Sequence, residues 1–225
     1  MIGGIMIGSG IFYLGARTGL MSRGYVDDAD NHGLEWISTE DMDRCCQLAK
    51  EHNLQVITHC IGDEAVRRTV ECYERAFVDG KNKLRHAVVH CQITGSGLLD
   101  RIARDDILVF AQPIFLDYNM NIVEKLCGKE LASTPYAFGT LLRKGVHLSY
   151  GTDCPVEDCN PFPNLYMAVT RKDRHGRPAD GFYPGECVDV ETAVDVYTLE
   201  NAYAEFQEDV KGRIKPGYYA DMVLL

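Results

Sequence analysis

Three polar residues of metal-binding type stand directly after apolar stretches of this sequence. His59 ends "LQVITH", His90 ends "HAVVH", and Asp153 follows "VHLSYG" by two residues. Neutral imidazole and carboxylate groups are common ligands of divalent ions, zinc among them. If the three stretches are neighbouring strands, their ends can converge on one point. The pattern favours a divalent-metal site formed by His59, His90 and Asp153; the alternative for any single histidine is a hydrogen-bonded core residue.

The elements that would position these residues alternate in type along the chain. Apolar stretches that resemble strands are "IGGIMIG", "LQVITH", "HAVVH", "ILVFA" and "VHLSYG". Helical patterns lie between them, such as "STEDMDRCCQLAKEHN" and "GDEAVRRTVECYERAFVDG". This alternation predicts βαβ units and a parallel sheet. Active sites in parallel α/β folds lie at the carboxyl ends of the strands, where the three candidates stand.

A cysteine directly follows each candidate, at positions 60, 91 and 154. A mixed Cys/His metal site is therefore an alternative. Successive strand side chains point to opposite faces, however, so we expect Cys60 and Cys91 to face away from the site and to be buried under the helices. His86 lies four residues before His90, too deep along the strand to bind the same ion. We expect it to be a hydrogen-bonded core histidine or a supporting donor.

Composition narrows the classes of function. The chain has 225 residues, of which 46% are hydrophobic, and a net charge of −10. This hydrophobic content predicts a folded core, and the acidic balance argues against nucleic-acid or anionic-lipid partners. No apolar stretch approaches the ~20 residues of a membrane span. Nine cysteines without regular spacing argue against a disulfide framework and favour a cytoplasmic location. A Gly-x-Gly-x-x-Gly motif for a dinucleotide is absent from the sequence.

Motifs along nearly the whole chain resemble one known family. They include "LGARTGL", "YVDDADNHG", "LQVITHCIGDEAV", "RHAVVHCQ", "AQP", "GTDCPVE", "AVTRKDRHGRP" and "YTLENAYAEFQEDVKGRIKPGYYADMVLL". In this order they resemble the C-terminal part of the amidohydrolase superfamily, in the branch that contains D-aminoacylases and N-substituted formamide deformylases. The resemblance implies a distorted (β/α)8 barrel with a small accessory β-sandwich. It also implies hydrolysis of amide-type C–N bonds, other than peptide bonds, with one or two divalent metals, zinc being expected.

The resemblance assigns a role to each candidate residue. It makes His59 the ligand on the fifth barrel strand, His90 the ligand on the sixth and Asp153 the aspartate of the eighth. That aspartate would take a proton from the attacking water and pass it to the leaving group. This agrees with the general chemistry of metal-assisted hydrolysis, in which a nearby carboxylate performs the proton transfers.

The chain departs from the family pattern at three places. The His-x-His pair of the first strand would lie before Met1, Met6 or Ile7 stands where a lysine is expected, and Val89 replaces an acidic residue. We therefore expect residues 1–208 to form about the last five β/α units of the barrel and residues 209–225 to supply a terminal strand of the accessory β-sandwich. The alternative to an enzyme acting on a small amide-type molecule is an inactive remnant or subunit that binds a partner. We expect a homodimer or association with a missing N-terminal half.

Overall fold

A parallel β-sheet forms the centre of the molecule. The computed structural model describes residues 5–7, 30, 32–33, 35, 37–132 and 134–223. The sheet has five strands, which lie side by side in chain order and are all parallel. The strands are β1 (Ile5–Ile7), β2 (Val56–Cys60), β3 (Ala87–His90), β4 (Leu108–Ala111) and β5 (Leu148–Tyr150). Each of the five predicted strands is present.

Helices connect the strands and follow them along the chain. Within the described residues they are α1 (Thr39–Glu51), α2 (Asp63–Ala76), α3 (Ser96–Arg104), α4 (Leu116–Asn119), α5 (Val123–Ala132), α6 (Phe138–Arg143), α7 (Phe162–Thr170) and α8 (Val190–Ala204). Local signals set several boundaries. The hydroxyl of Ser38 accepts a hydrogen bond from the Asp41 amide and caps α1. Gly145 takes the left-handed conformation just after α6.

The main core lies between the sheet and the helices. Tyr73 of α2 is fully buried there, and its hydroxyl bonds to the Thr58 hydroxyl and to the Ala87 carbonyl, each at 2.7 Å. Cys60 and Cys91 belong to the same buried cluster. The Cys60 thiol lies 3.2 Å from the Thr69 hydroxyl of α2. Both cysteines therefore lie under the helices, as predicted.

The amino ends of the strands are closed by residues around α8. Gln55 donates hydrogen bonds to the carbonyls of Arg85 and Ala204. The guanidinium of Arg85 stacks over the Tyr203 ring at 3.6 Å. The His147 ring stacks on the Tyr203 ring, with the two centroids 3.9 Å apart. These contacts cover the amino ends of the strands. A site can therefore form at the carboxyl ends.

The described end of the chain, after α8, is irregular. Residues 205–223 contain turns and bends but no strand. A turn forms at residues 215–218, where the Tyr218 amide bonds to the Lys215 carbonyl at 3.0 Å. A strand requires a neighbouring strand, and the described residues offer none here, so Ile214 remains 91% exposed. The assignment of residues 209–225 to an accessory β-sandwich stays a prediction. No described helix is both long and apolar enough to cross a membrane.

Candidate active site

The structure brings His59, His90 and Asp153 together at the carboxyl end of the sheet. His90 Nε2 lies 2.9 Å from His59 Nδ1 and 4.0 Å from Asp153 Oδ2. The two imidazole rings meet edge to face, with centroids 4.4 Å apart. The three residues come from the ends of β2 and β3 and from the loop that follows β5. The three side chains therefore lie near one another, and their joint binding of a metal ion stays a prediction.

A backbone torsion at His90 makes this contact. His59 is paired in register with Val89, so strict alternation would turn His90 to the opposite face. His90 has φ = 72° and Cys91 has φ = 48°, both in the left-handed region that side chains disfavour. The alternation ends there, and the His90 imidazole meets that of His59. Asp153 is also left-handed, with φ = 59°. Such conformations cost about 1–3 kcal/mol each and cluster at functional sites.

His86 occupies a different environment from His90, although the spacing of four residues predicted the same face. It is buried, its ring packs 5.0 Å from that of Tyr73, and its Nδ1 accepts the Val56 amide. The left-handed torsion at His90 explains the difference, because it breaks the two-residue period between them. His86 is thus a core histidine, one of the two roles expected for it.

Burial sets the protonation of the site. Loss of hydration lowers the pKa of His59, and burial together with the neighbouring His59 lowers the pKa of His90 to about 3. Both imidazoles are therefore neutral near pH 7 and keep lone pairs for bonding. Burial raises the pKa of the Asp153 carboxyl. A carboxylate with a raised pKa exchanges protons closer to neutral pH, which suits a general base or acid.

Two further residues, for which the sequence pattern predicted no role, hold the His90 ring. His90 Nδ1 lies 2.8 Å from Gln112 Oε1, and the Phe115 ring stacks on the imidazole at 5.9 Å. Both follow β4, the strand next to β3. One sequence feature could have identified Gln112: it directly follows a predicted strand, at the same end of the sheet as His59 and His90.

The donor set fits a divalent ion in part. Two nitrogens on one tetrahedral zinc, each at about 2.0–2.1 Å, lie roughly 3.3 Å apart, so the 2.9 Å pair would need to open by only a few tenths of an ångström. Asp153 lies further away, at 4.0 Å. Across the described residues, no group of three or more His, Cys, Asp or Glu is arranged to hold a metal ion. The two histidines are thus candidate ligands of a site that needs additional donors.

Comparison with known proteins adds independent findings. The Amidohydrolase family profile matches residues 2–225. YtcJ of Bacillus subtilis, whose name describes it as an amidohydrolase, is 31% identical over 94% of this chain and 40% of its own length. The N-substituted formamide deformylase of Arthrobacter pascens is 25% identical over 86% of this chain and 35% of its own length. The chain thus spans about 40% or less of these two relatives.

A solved structure shows the same architecture. The crystal structure of an uncharacterized metal-dependent hydrolase from Pyrococcus furiosus superposes with a TM-score of 0.76 and 27% identity. The match covers 91% of this chain and 40% of that one. The predicted fold class, a partial (β/α)8 barrel of the metal-dependent hydrolase type, is confirmed.

Proposed function

Because this chain belongs to the Amidohydrolase family, we propose that it carries part of the active site of a metal-dependent hydrolase. The proposed reaction is hydrolysis of an amide-type C–N bond, other than a peptide bond, in a small molecule. The observation that carries the proposal is the contact of His59 Nδ1 with His90 Nε2 at 2.9 Å, with the Asp153 carboxylate 4.0 Å from the same His90 nitrogen.

Each residue has a role that follows from its surroundings. His59 and His90, neutral and adjacent, would supply two nitrogen ligands to a divalent ion, for which we propose zinc. Such an ion supplies Lewis-acid polarisation of the substrate carbonyl and promotes ionisation of water. Asp153 would take the proton from the attacking water and deliver it to the nitrogen of the leaving amine. Its raised pKa favours both transfers.

A second candidate function has a specific observation in its favour. The described residues hold no three-ligand metal group, and the chain spans 40% of the length of YtcJ. A chain with two histidine ligands and no further donors would bind metal weakly. The alternative is therefore a catalytically inactive subunit that binds a partner through the incomplete barrel.

Hydrolysis assays separate the two candidates. Purified protein is incubated with zinc and with N-formyl, N-acyl and ureide compounds, and release of the amine is measured. We expect turnover that chelation abolishes and added zinc restores. Protein that binds zinc without hydrolysing any of these classes would support the inactive subunit, and protein that binds no zinc would contradict the metal-site proposal.

A further inference from the structure

Gln112 makes two hydrogen bonds that together fix the orientation of its side-chain amide. Gln112 is 5% exposed, so its polar side-chain atoms need partners within the protein. Its Nε2 donates to the Phe110 carbonyl at 3.3 Å, and its Oε1 lies 2.8 Å from His90 Nδ1. The reversed amide would place Oε1 against the Phe110 carbonyl oxygen and lose that bond. The oxygen of Gln112 therefore faces His90.

This orientation determines which nitrogen of His90 carries the proton. Since Gln112 Oε1 can only accept, His90 Nδ1 must donate, and the neutral ring then has its lone pair on Nε2. That lone pair faces His59 Nδ1 at 2.9 Å, with Asp153 beyond. In this geometry His59 Nδ1 donates its proton to His90 Nε2. The Phe115 ring, 21° from parallel with the imidazole, restricts rotation of the His90 ring.

We infer that Gln112 is a positioning residue that holds His90 in its Nδ1–H tautomer and so aims the Nε2 lone pair into the site. The tautomer assignment stands on the hydrogen bonds alone. Its consequence for metal binding rests on the proposed function, in which His90 Nε2 is a ligand. A ligating histidine whose other N–H is bound by a protein acceptor is oriented and made more basic, and loss of that acceptor commonly weakens metal binding 10–100-fold.

The inference can be tested by nitrogen-15 NMR of the metal-free chain. Long-range couplings from the ring carbons identify which nitrogen of each imidazole is protonated. We expect His90 to be the Nδ1–H tautomer in the wild type. Gln112→Met keeps the length of the side chain and removes the acceptor, so it should lose this single tautomer. Gln112→Glu keeps an acceptor at the same place and should retain it.

Gln55→Met provides the matched control. Gln55 is equally buried, donates to two backbone carbonyls, and lies at the opposite end of β2. This variant should lose comparable stability and leave the His90 signals unchanged. A wild-type His90 protonated on Nε2, or an unchanged Nδ1–H tautomer in Gln112→Met, would overturn the inference. The wild-type spectrum decides the matter even if Gln112→Met does not fold.

Zinc titration of the same proteins separates this inference from the proposed function. We expect Gln112→Met to raise the Kd for zinc 10–100-fold and Gln112→Glu to stay near the wild type. A wild-type chain that shows the expected tautomer but binds no zinc would contradict the proposed function and leave the tautomer assignment in place. Equal zinc affinity in the wild type and Gln112→Met would contradict the consequence drawn for metal binding.

Discussion

The left-handed backbone torsion of His90 places its imidazole beside that of His59. Without it, the two-residue period of β3 would turn this side chain under the helices, where His86 lies. A left-handed torsion costs energy in a residue with a side chain. The His90 ring that it redirects is in contact with His59, Gln112 and Phe115. The backbone thus gives up local stability to assemble the candidate site.

Asp153→Asn tests the proton-transfer role at the residue scale. Asparagine has nearly the same shape but cannot take a proton, so turnover should fall by at least about 100-fold while the fold is retained. Bound zinc should stay mostly in place, because the histidine ligands are unchanged. Turnover and zinc content are measured on the same preparation.

Asp158→Asn is the control for this substitution. Asp158 is exposed in the same loop after β5, and its carboxylate accepts the Asn160 amide, which an asparagine oxygen can also do. We expect wild-type turnover. If Asp153→Asn also keeps wild-type turnover, Asp153 has no part in the mechanism.

The residues of the site were predictable from the sequence only in part. The strand-end positions of His59, His90 and Asp153 follow from apolar patterns, and the parallel topology brings such ends together. The φ value of His90 is set by tertiary contacts, and so the strand pattern alone could not indicate it. Gln112 was missed for a similar reason, since an amide after a strand acquires a role only when its partner is known.

At the scale of elements, the buried hydroxyl of Tyr73 links α2 to two strands of the sheet. Tyr73 accepts from the Thr58 hydroxyl of β2 and donates to the Ala87 carbonyl of β3. The amphipathic spacing of α2 places Tyr73 on its apolar side, but such a pattern carries no information about the partners of the hydroxyl. The strands that bear His59 and His90 are therefore linked by a residue of the helix between them.

Tyr73→Phe should destabilise the β2–α2–β3 unit without changing its fold. The substitution leaves a buried carbonyl and a buried hydroxyl without their partner, which costs about 1–3 kcal/mol in the free energy of unfolding. Tyr166→Phe removes a hydroxyl from a 43% exposed side chain and should change stability by less than about 0.5 kcal/mol. Urea denaturation measures both. Equal midpoints for the two variants would show that the Tyr73 hydroxyl contributes nothing.

His86 and His147, which directly precede β3 and β5, should give opposite dependences of stability on pH. Burial lowers the pKa of His86 to about 4, from 6.5, so the unfolded chain binds more protons between these values and His86 favours unfolding as pH falls from 6.5 to 4. The hydrogen bond that His147 Nδ1 donates to the Glu200 carboxylate raises the pKa of His147. Its stabilising contribution is full below 6.5 and is lost as pH rises through the raised pKa.

Asparagine variants at these two positions separate the contributions. His86→Asn keeps an acceptor for the Val56 amide and does not titrate, so it should reduce the loss of stability between pH 6.5 and 4.5 by on the order of 2 kcal/mol. His147→Asn should instead remove the loss of stability that His147 causes as the pH rises above 6.5, which a further urea midpoint at higher pH measures. Urea midpoints at the two pH values give the comparison, and a His86→Asn curve parallel to that of the wild type would contradict the assignment.

At the scale of the whole molecule, the two edges of the sheet differ. The outer edge of β5 is partly covered by α8, since the Asn201 amide donates to the Tyr150 carbonyl at 3.2 Å. In the described residues β1 pairs with β2 and with no other strand. The order of the five strands was predictable because parallel units follow one another along the chain. The accessory β-sandwich stays a prediction, because the described residues include no partner strand for residues 209–223.

We expect β1 to mediate association with a second copy of this chain. An unprotected parallel edge is a template for pairing, and a charge on it opposes pairing. Light scattering of the purified chain at micromolar concentration should give a mass above the 25.2 kDa of one chain. Ile5→Lys should reduce the mass, and Ile214→Lys, the same change at a 91% exposed position, should leave it unchanged. A monodisperse monomer in all three proteins would contradict the expectation.

The central claim is that His59 and His90 are ligands of one divalent ion, and zinc titration of four proteins tests it most directly. The wild type should bind one zinc per chain, and His59→Ala and His90→Ala should each weaken that binding at least about 10-fold. His147→Ala, which changes a histidine at the opposite end of the strands, should match the wild type. Wild-type affinity in His59→Ala or His90→Ala, or no zinc bound by the wild type, would contradict the claim.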